Sequence, residues 1–104
     1  IVVIGDPKRS RYWVEDCSIA AEHIWLAATA MGLGASWCAV YQSDDSDESM
    51  RREDHVRDVL MISGELRPLA IIAIGIPSGN QPSRSATTKS GTPLNEVLHL
   101  ERYG

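Results

Sequence analysis

The fold is decided by residues 13–41, WVEDCSIAAEHIWLAATAMGLGASWCAVY, in which a helical hydrophobic period gives way to a strand-like run. From Trp13 to Met31 small and apolar residues recur every three or four positions, which places them on one face of a helix. The residues on this face are Cys17, Ala20, Ala21, Ile24, Ala27, Ala28 and Met31. Gly32 predicts the end of the helix, because the residue just past a helix end often needs a positive φ. We therefore expect a long helix whose Ala-rich side lies close to a sheet or to another helix.

Three apolar runs predict β-strands around this helix. Ile1–Ile4 is β-branched and is followed by a Gly-Asp-Pro turn, which is typical of a buried strand, so we expect it inside a sheet. Ala35–Tyr41 is the second run. Leu69–Ile76 is almost entirely apolar, which indicates a strand buried on both faces. Together these elements predict an α/β core over residues 1–77.

The remaining segments are polar. Gln42–Asp54 is acidic and Ser-rich, which predicts a solvated loop, and Met50 stands where a calcium loop would need glycine. A short helix is expected from about Asp54 to Ile62. Residues 78–104 are largely Ser, Thr, Gly and Pro in their first part, and we expect them to form an extended tail that packs on the core or on a partner.

Charge, length and cysteine use exclude several classes of function. The 104 residues carry 10 Lys+Arg against 14 Asp+Glu, a net charge of −4, which disfavours nucleic-acid binding. The longest apolar stretch, Pro68–Pro77, is about half of the ~20 residues that cross a bilayer, so no membrane span is expected. Cys17 and Cys38 have no CxxC spacing, which favours reduced, buried thiols in a cytoplasmic protein. The three histidines lie in different segments and predict no metal site.

No motif in the sequence supplies a catalytic side chain. The glycines at positions 32 and 34 follow a helix and precede a strand, whereas the dinucleotide-binding fingerprint follows a strand and opens a helix. The sequence also lacks a GxSxG nucleophile elbow. If the chain takes part in chemistry, we expect a bound cofactor to carry the reaction.

Three segments occur in a characteristic order: IVVIGD at residues 1–6, YWVEDCSIAAEHIWLAA at 12–28 and MGLGASWCAVY at 31–41. In this order they resemble the C-terminal half of the nitroreductase family, whose members are FMN-dependent flavoproteins that oxidise NAD(P)H. The resemblance implies an α+β fold with a sheet flanked by helices, built as an intertwined homodimer with FMN at the subunit interface. It also implies a chain truncated at its N-terminus, because in the family a segment that precedes these elements makes many of the contacts with the flavin.

The resemblance further assigns candidate cofactor-binding residues. The family's contact with the flavin ring falls on four consecutive residues, Cys38, Ala39, Val40 and Tyr41. Among these, the backbone N–H groups of Ala39 and Val40 are expected to face N5 and O4 of the ring.

A second candidate contact lies in the tail. The family's Lys-x-Arg pair before Pro-Leu falls on Lys89, Ser90 and Gly91, so the lysine is kept and the arginine is replaced. Lys89 can still neutralise the flavin phosphate as a point charge, although the bidentate fork is lost. Arg84 is a candidate to compensate for the arginine that Gly91 replaces.

These assignments support one leading hypothesis and two rivals. The leading hypothesis is an FMN-dependent oxidoreductase that moves hydride from NAD(P)H to nitro, quinone or similar acceptors. The first rival is a non-catalytic dimerisation or interaction domain that keeps the family's core fold, and the second is a small nucleotide-binding α/β module. The alternative to a flavin site is a purely structural role for these residues. In that case Trp37, Cys38 and Tyr41 pack in the core, and Lys89 is solvated.

Overall fold

The structure is a computed structural model that describes residues 1–79 and 93–98. Its elements are β1 (Val2–Gly5), α1 (Trp13–Ala30), β2 (Gly34–Ala39), α2 (Ser46–Leu60), β3 (Arg67–Gly75) and α3 (Leu94–Val97). Helices combined with an antiparallel sheet confirm the α+β class. The predicted tail, including Lys89, lies mostly outside the described residues, and its described part holds the single helical turn α3.

The sheet has three strands in the order β1-β3-β2, and both pairings are antiparallel. β1 and β2 therefore run parallel on either side of β3 and are joined by α1, as in a split β-α-β unit. Ile71 of β3 pairs with Val2 of β1 and with Cys38 of β2. The β1 register shifts near Pro68, which has no N–H to donate to the ladder. The expectation that β1 lies inside a sheet is wrong for the described residues, because β1 and β2 are the two edge strands.

α1 packs its small-residue face on the sheet. The core cluster consists of Val3, Trp13, Cys17, Ala21, Leu69, Ala70 and Ile72. The face that α1 buries is narrower than the predicted face, since Ala20, Ala27 and Met31 are exposed. The helix ends at Ala30, and Gly32 follows with φ +74°, which confirms its predicted role. Burial and the neighbouring charge of Asp16 raise the pKa of the Cys17 thiol.

Gly5 marks the closest approach of β1 to α1. A Cβ at this position would lie 2.9 Å from Sγ of Cys17 and 3.0 Å from Cε3 of Trp13. Both neighbours are buried core side chains with little room to shift. We expect Gly5→Ala to destabilise the fold by about 1–3 kcal/mol through overpacking, measured by thermal or urea unfolding. Gly64→Ala is the control, because no atom beyond its adjacent residues lies within 4 Å of its Cβ position, and an equal loss in both variants would refute the close-packing account.

α2 covers most of the segment predicted to be a loop and most of the short helix predicted after it. The helix begins at Ser46, and its N-cap Asp45 accepts a hydrogen bond from the Glu48 N–H at 2.9 Å. The predicted start near Asp54 is therefore wrong by two turns, and the helix ends at Leu60 with Met61 in the left-handed conformation. The error has a physical reason, because the residues that α2 buries include the polar side chains Ser49 and Glu53.

The two long helices cover opposite faces of the sheet. Neighbouring strand residues point to opposite faces, and Val3 belongs to the core cluster under α1. Val2 and its partner Ile71 instead border a groove with Val56 and other residues of α2. None of the helices formed by the described residues combines the length and the hydrophobicity needed to cross a bilayer.

The last four residues of β2 and the last three residues of β3 are exposed within the chain. Ala73, Ile74 and Gly75 are exposed, so the prediction that β3 is buried on both faces holds only for its first half. On β2, Trp37 is 41% exposed and Cys38 is also exposed. The prediction that both thiols are buried is therefore right for Cys17 and wrong for Cys38 in this structure.

Candidate functional site

The four consecutive candidate residues lie where β2 leaves the sheet. The side chains of Cys38 and Ala39 are exposed, Val40 is buried, and Tyr41 is half-buried. Val40 and Tyr41 follow the last residue of β2 but remain attached to β3, since both backbone N–H groups donate to the Leu69 carbonyl oxygen at 3.0 Å. The Val40 N–H is thus already used within the fold.

The Ala39 N–H points away from the sheet. In an antiparallel pair, hydrogen-bonded residue pairs alternate with non-bonded ones. The bond from Val40 to Leu69 makes that pair a bonded one, so Ala39 and its partner Ala70 form a non-bonded pair. Within the described part of the chain, the Ala39 N–H is therefore unpaired and lies at the open edge of β2.

The β1 side of β3 agrees with this alternation. The Ile72 N–H donates to the Ile1 carbonyl oxygen at 2.8 Å, so its hydrogen bond goes to β1 and away from β2. Ile72 is the β2 partner of Trp37, and Trp37 therefore also turns its N–H to the open edge. The same alternation applies to Ala35, so Ala35, Trp37 and Ala39 form a row of outward backbone donors, which we call the β2 edge.

Tyr41 is held by an aromatic and cationic stack. Its ring meets Trp13 edge-on, with ring centroids 5.0 Å apart and an interplanar angle of 75°. The Arg67 guanidinium lies 4.9 Å from the Trp13 ring centroid and 5.2 Å from that of Tyr41. Such contacts contribute about 0.5–2 kcal/mol each, depending on how far they are desolvated. The stack fixes the chain immediately after the Ala39 N–H.

Glu53 anchors this stack from α2. Its side chain is fully buried and accepts hydrogen bonds from Arg67 Nε at 2.9 Å and Nη2 at 2.7 Å. It also accepts one from Ser49 Oγ at 2.8 Å, and Arg57 Nη1 lies 3.4 Å away. Burial alone would raise the pKa of Glu53, but the hydrogen bonds from Arg67 and Ser49 and the charges of both arginines outweigh it and hold the pKa below its ordinary value. The hydrogen bond to Glu53 also raises the pKa of Arg67.

Ser49 connects this ion pair to the backbone after β2. Its hydroxyl oxygen accepts a hydrogen bond from the Gln42 N–H at 2.9 Å while its hydrogen is donated to Glu53. A serine hydroxyl has one hydrogen, so the bond to Glu53 leaves its lone pairs to face Gln42. Ser49, Glu53 and Arg67 form one unit, which we call the Glu53 network.

Sequence reasoning missed the Glu53 network. A signal for its helix was present, because Asp45 and Glu48 have the N-cap to N3 spacing of a capping box. The pairing of Glu53 with Arg67, fourteen positions later, is a tertiary contact that no local pattern reveals. In residues 1–79 and 93–98, no group of three or more His, Cys, Asp or Glu side chains could hold a metal ion.

The β2 edge fits one requirement of FMN. The oxidised ring presents N5 as a hydrogen-bond acceptor, and an exposed, unpaired backbone N–H such as that of Ala39 can donate to it. The Val40 N–H does not fit the same role, because the Leu69 carbonyl already accepts its hydrogen bond. A backbone donor adds no titrating group of the protein to this contact.

Comparisons with known proteins identify the family of the chain. The model of the nitroreductase family matches residues 1–76. A curated relative from Methanothermobacter thermautotrophicus is 40% identical over 92 residues, and a solved structure from Bacteroides thetaiotaomicron has 34% identity and a TM-score of 0.75 over 98% of this chain. Both carry the name "Putative NADH dehydrogenase/NAD(P)H nitroreductase".

A third similar protein is named for its cofactor. It is the FMN-dependent nitroreductase of Clostridium difficile, with 26% identity and a TM-score of 0.72 over 98% of this chain. The chain spans about half the length of the relatives it matches: 42% of the Methanothermobacter protein, 54% of the Bacteroides chain and 56% of the Clostridium chain. The family match over most of the chain, together with these similarities, shows that the chain belongs to the nitroreductase family.

Proposed function

We propose that this chain takes part in FMN-dependent oxidoreduction, in which hydride from NAD(P)H is passed on to nitro, quinone or similar acceptors. The observation that carries the proposal is the Ala39 N–H at the β2 edge of a nitroreductase-family chain, which has no hydrogen-bond partner among residues 1–79 and 93–98. The FMN-dependent nitroreductase among the similar structures supports the choice of cofactor.

When bound, FMN would supply the redox chemistry by accepting hydride at N5 and releasing electrons to the acceptor. The chain's own part is to hold the ring. The Ala39 N–H donates to the ring edge, where a fixed donor stabilises negative charge as the ring gains electrons. The exposed side chains of Trp37 and Cys38 lie beside this edge on opposite faces of the sheet, so each can shield a different side of the ring from water. Tyr41 holds the following backbone through its contact with Trp13.

The direct test is titration of the purified chain with FMN, followed by the quenching of flavin fluorescence, and then anaerobic addition of NADH. Saturable binding and bleaching of the flavin band by NADH are expected. A folded chain that binds no FMN at tens of micromolar would contradict the proposal and favour the rival, a non-catalytic interaction domain. Binding of ATP or NAD without flavin would favour the nucleotide-binding module.

We also propose that the chain forms a homodimer, with residues after Pro77 packing on the partner. The exposed apolar surface motivates this, since Trp37, Ile74 and Ile76 are 41%, 38% and 90% exposed. A chain of this size buries only about 60–68% of its unfolded surface, so covering such a surface adds needed stability. Light scattering at micromolar concentration is expected to give twice the 11.4 kDa chain mass, and a monomer whose tail is freely cut by protease would contradict the prediction.

Lys89 is the second proposed cofactor contact, and it lies outside the described residues. If its ammonium neutralises the flavin phosphate, Lys89→Ala is expected to weaken FMN binding roughly tenfold to a hundredfold, the worth of a charge-assisted hydrogen bond. Gly91→Arg is expected to tighten binding by restoring a bidentate fork. Added salt should weaken wild-type binding more than Lys89→Ala binding, and FMN titrations indistinguishable among the three proteins would remove Lys89 from the site.

A further inference from the structure

Three consecutive backbone groups after Ala39 are fixed by partners from two different elements. Leu69 of β3 accepts from the N–H groups of Val40 and Tyr41, and Ser49 of α2 accepts from that of Gln42. The first two bonds hold the chain to the sheet. The third holds it to the helix on the next layer, so the direction in which the chain leaves β2 depends on Ser49.

The hydrogen bond from Gln42 to Ser49 is accepted by a buried hydroxyl whose orientation is fixed. Ser49 is 1% exposed, and its hydroxyl hydrogen is taken by the fully buried Glu53 carboxylate at 2.8 Å. Because Glu53 is itself held by two hydrogen bonds from Arg67, the hydroxyl has one orientation, and in that orientation it accepts from Gln42. A rigid surrounding shell of this kind keeps a functional group within the narrow geometry that its role requires.

We infer that Ser49 is a positioning residue for the flavin, and that it acts by fixing the backbone on which the Ala39 N–H is presented. This inference rests on the proposed function. Ser49 does not touch the β2 edge itself, and its hydroxyl acts through the Gln42 N–H three residues after Ala39. A backbone that is free to rotate at Gln42 would still form the sheet but would aim the Ala39 N–H less accurately.

The first measurement needs no flavin. Amide hydrogen exchange of the flavin-free protein is expected to be at least tenfold faster at Gln42 in Ser49→Ala, with the amides of α1 unchanged. Ser49→Thr keeps the hydroxyl and is expected to keep the slow exchange. Unchanged exchange at Gln42 in Ser49→Ala would overturn the inference.

The second measurement is the midpoint potential of bound FMN. The Ala39 N–H favours the electron-rich reduced ring, so Ser49→Ala is expected to bind reduced FMN about tenfold more weakly relative to oxidised FMN. That factor equals a potential about 30 mV more negative for a two-electron couple. Gln42→Pro removes the same hydrogen bond from its other side and is expected to shift the potential in the same direction.

Val56→Ala is the matched control, because it shortens a buried side chain of the same helix and leaves the Gln42 bond intact. It is expected to lower the melting temperature without moving the potential. A potential that shifts equally in Val56→Ala and Ser49→Ala would show that Ser49 acts only through stability and would overturn the inference. Wild-type protein that binds no FMN would overturn the proposed function and this inference together, whereas tight FMN binding with an unshifted Ser49→Ala potential would overturn the inference alone.

Discussion

Glu53→Ala is expected to destabilise the chain by about 3–5 kcal/mol, the usual cost of removing one partner of a buried ion pair. The substitution leaves the Arg67 guanidinium without its two carboxylate bonds and leaves the buried Ser49 hydroxyl without its acceptor. Arg67 keeps about a third of its side chain exposed and can regain some water, which favours the lower end of the range. A fall of at least about 12 °C in melting temperature is expected by calorimetry or circular dichroism.

Glu48→Ala is the matched control for Glu53. Glu48 lies on the same helix and also pairs with two arginines, Arg51 and Arg52, but all three side chains reach solvent. Exposed pairs of this kind are worth less than about 1 kcal/mol, so the loss should be small. Equal losses in the two variants would mean that burial of Glu53 does not determine its contribution.

The pH dependence of stability follows from the same contacts. The pKa of Glu53 is lower in the folded chain than in the unfolded chain, so its ionised form stabilises the fold above the unfolded pKa of about 4.3. This stability is lost as the pH falls through the lower folded pKa. Glu53→Gln is therefore expected to unfold less steeply with acid than the wild type over that range.

Ala39→Pro is expected to slow reduction of bound FMN by NADH about 10²–10³-fold, the effect of removing one fixed donor from a site of developing charge. The sheet is expected to survive, because the N–H that proline lacks faces the open β2 edge, and proline is tolerated at such positions. Stopped-flow absorbance at the flavin band measures the rate, and circular dichroism confirms the fold.

Two controls isolate the donor from the backbone change. Ala39→Gly keeps the N–H and is expected to retain the rate, while Ala35→Pro removes an outward N–H four residues earlier on the same edge and is expected to leave the flavin unaffected. Val40→Pro, by contrast, removes the bond to Leu69 and should weaken the fold itself. If Ala39→Pro reduced FMN at the wild-type rate while folded, the N5 contact would lie elsewhere.

Local patterns were sufficient for the elements whose burial is apolar. The three-and-four spacing through Cys17, Ala21 and Ala28 predicts α1, and the need for a positive φ predicts its end at Gly32. The β-branched and apolar runs likewise predict the three strands. The order of the strands in the sheet could not be predicted from local patterns, because strand pairing depends on contacts between residues that are distant in sequence, such as Val2 with Ile71.

The first two turns of α2 were assigned to a loop because the side chains they bury are polar, whereas its second half coincides with the predicted short helix. A hydrophobic period cannot show that Ser49 and Glu53 face inward, since both belong to residue types that are usually exposed. The spacing of charges was the better guide: Glu48 with Arg52 and Glu53 with Arg57 are four residues apart with the acid first, which is the order that stabilises a helix.

The site shows the same division between local and tertiary information. The resemblance points to the segment from Cys38 to Tyr41, but the sequence does not distinguish the Ala39 N–H from the Val40 N–H. The distinction depends on the register of β2 against β3, in which one residue's shift exchanges the bonded and the outward groups.

The β2 edge is also expected to affect how the protein behaves at high concentration. Its sequence, GASWCA, has no charged residue and no proline, the usual protections of an edge strand against joining a strand of another molecule. Three outward N–H groups beside an exposed Trp37 form a template for such strand addition, which leads to aggregation. We therefore expect a ligand or partner that covers the β2 edge to raise the solubility of the chain.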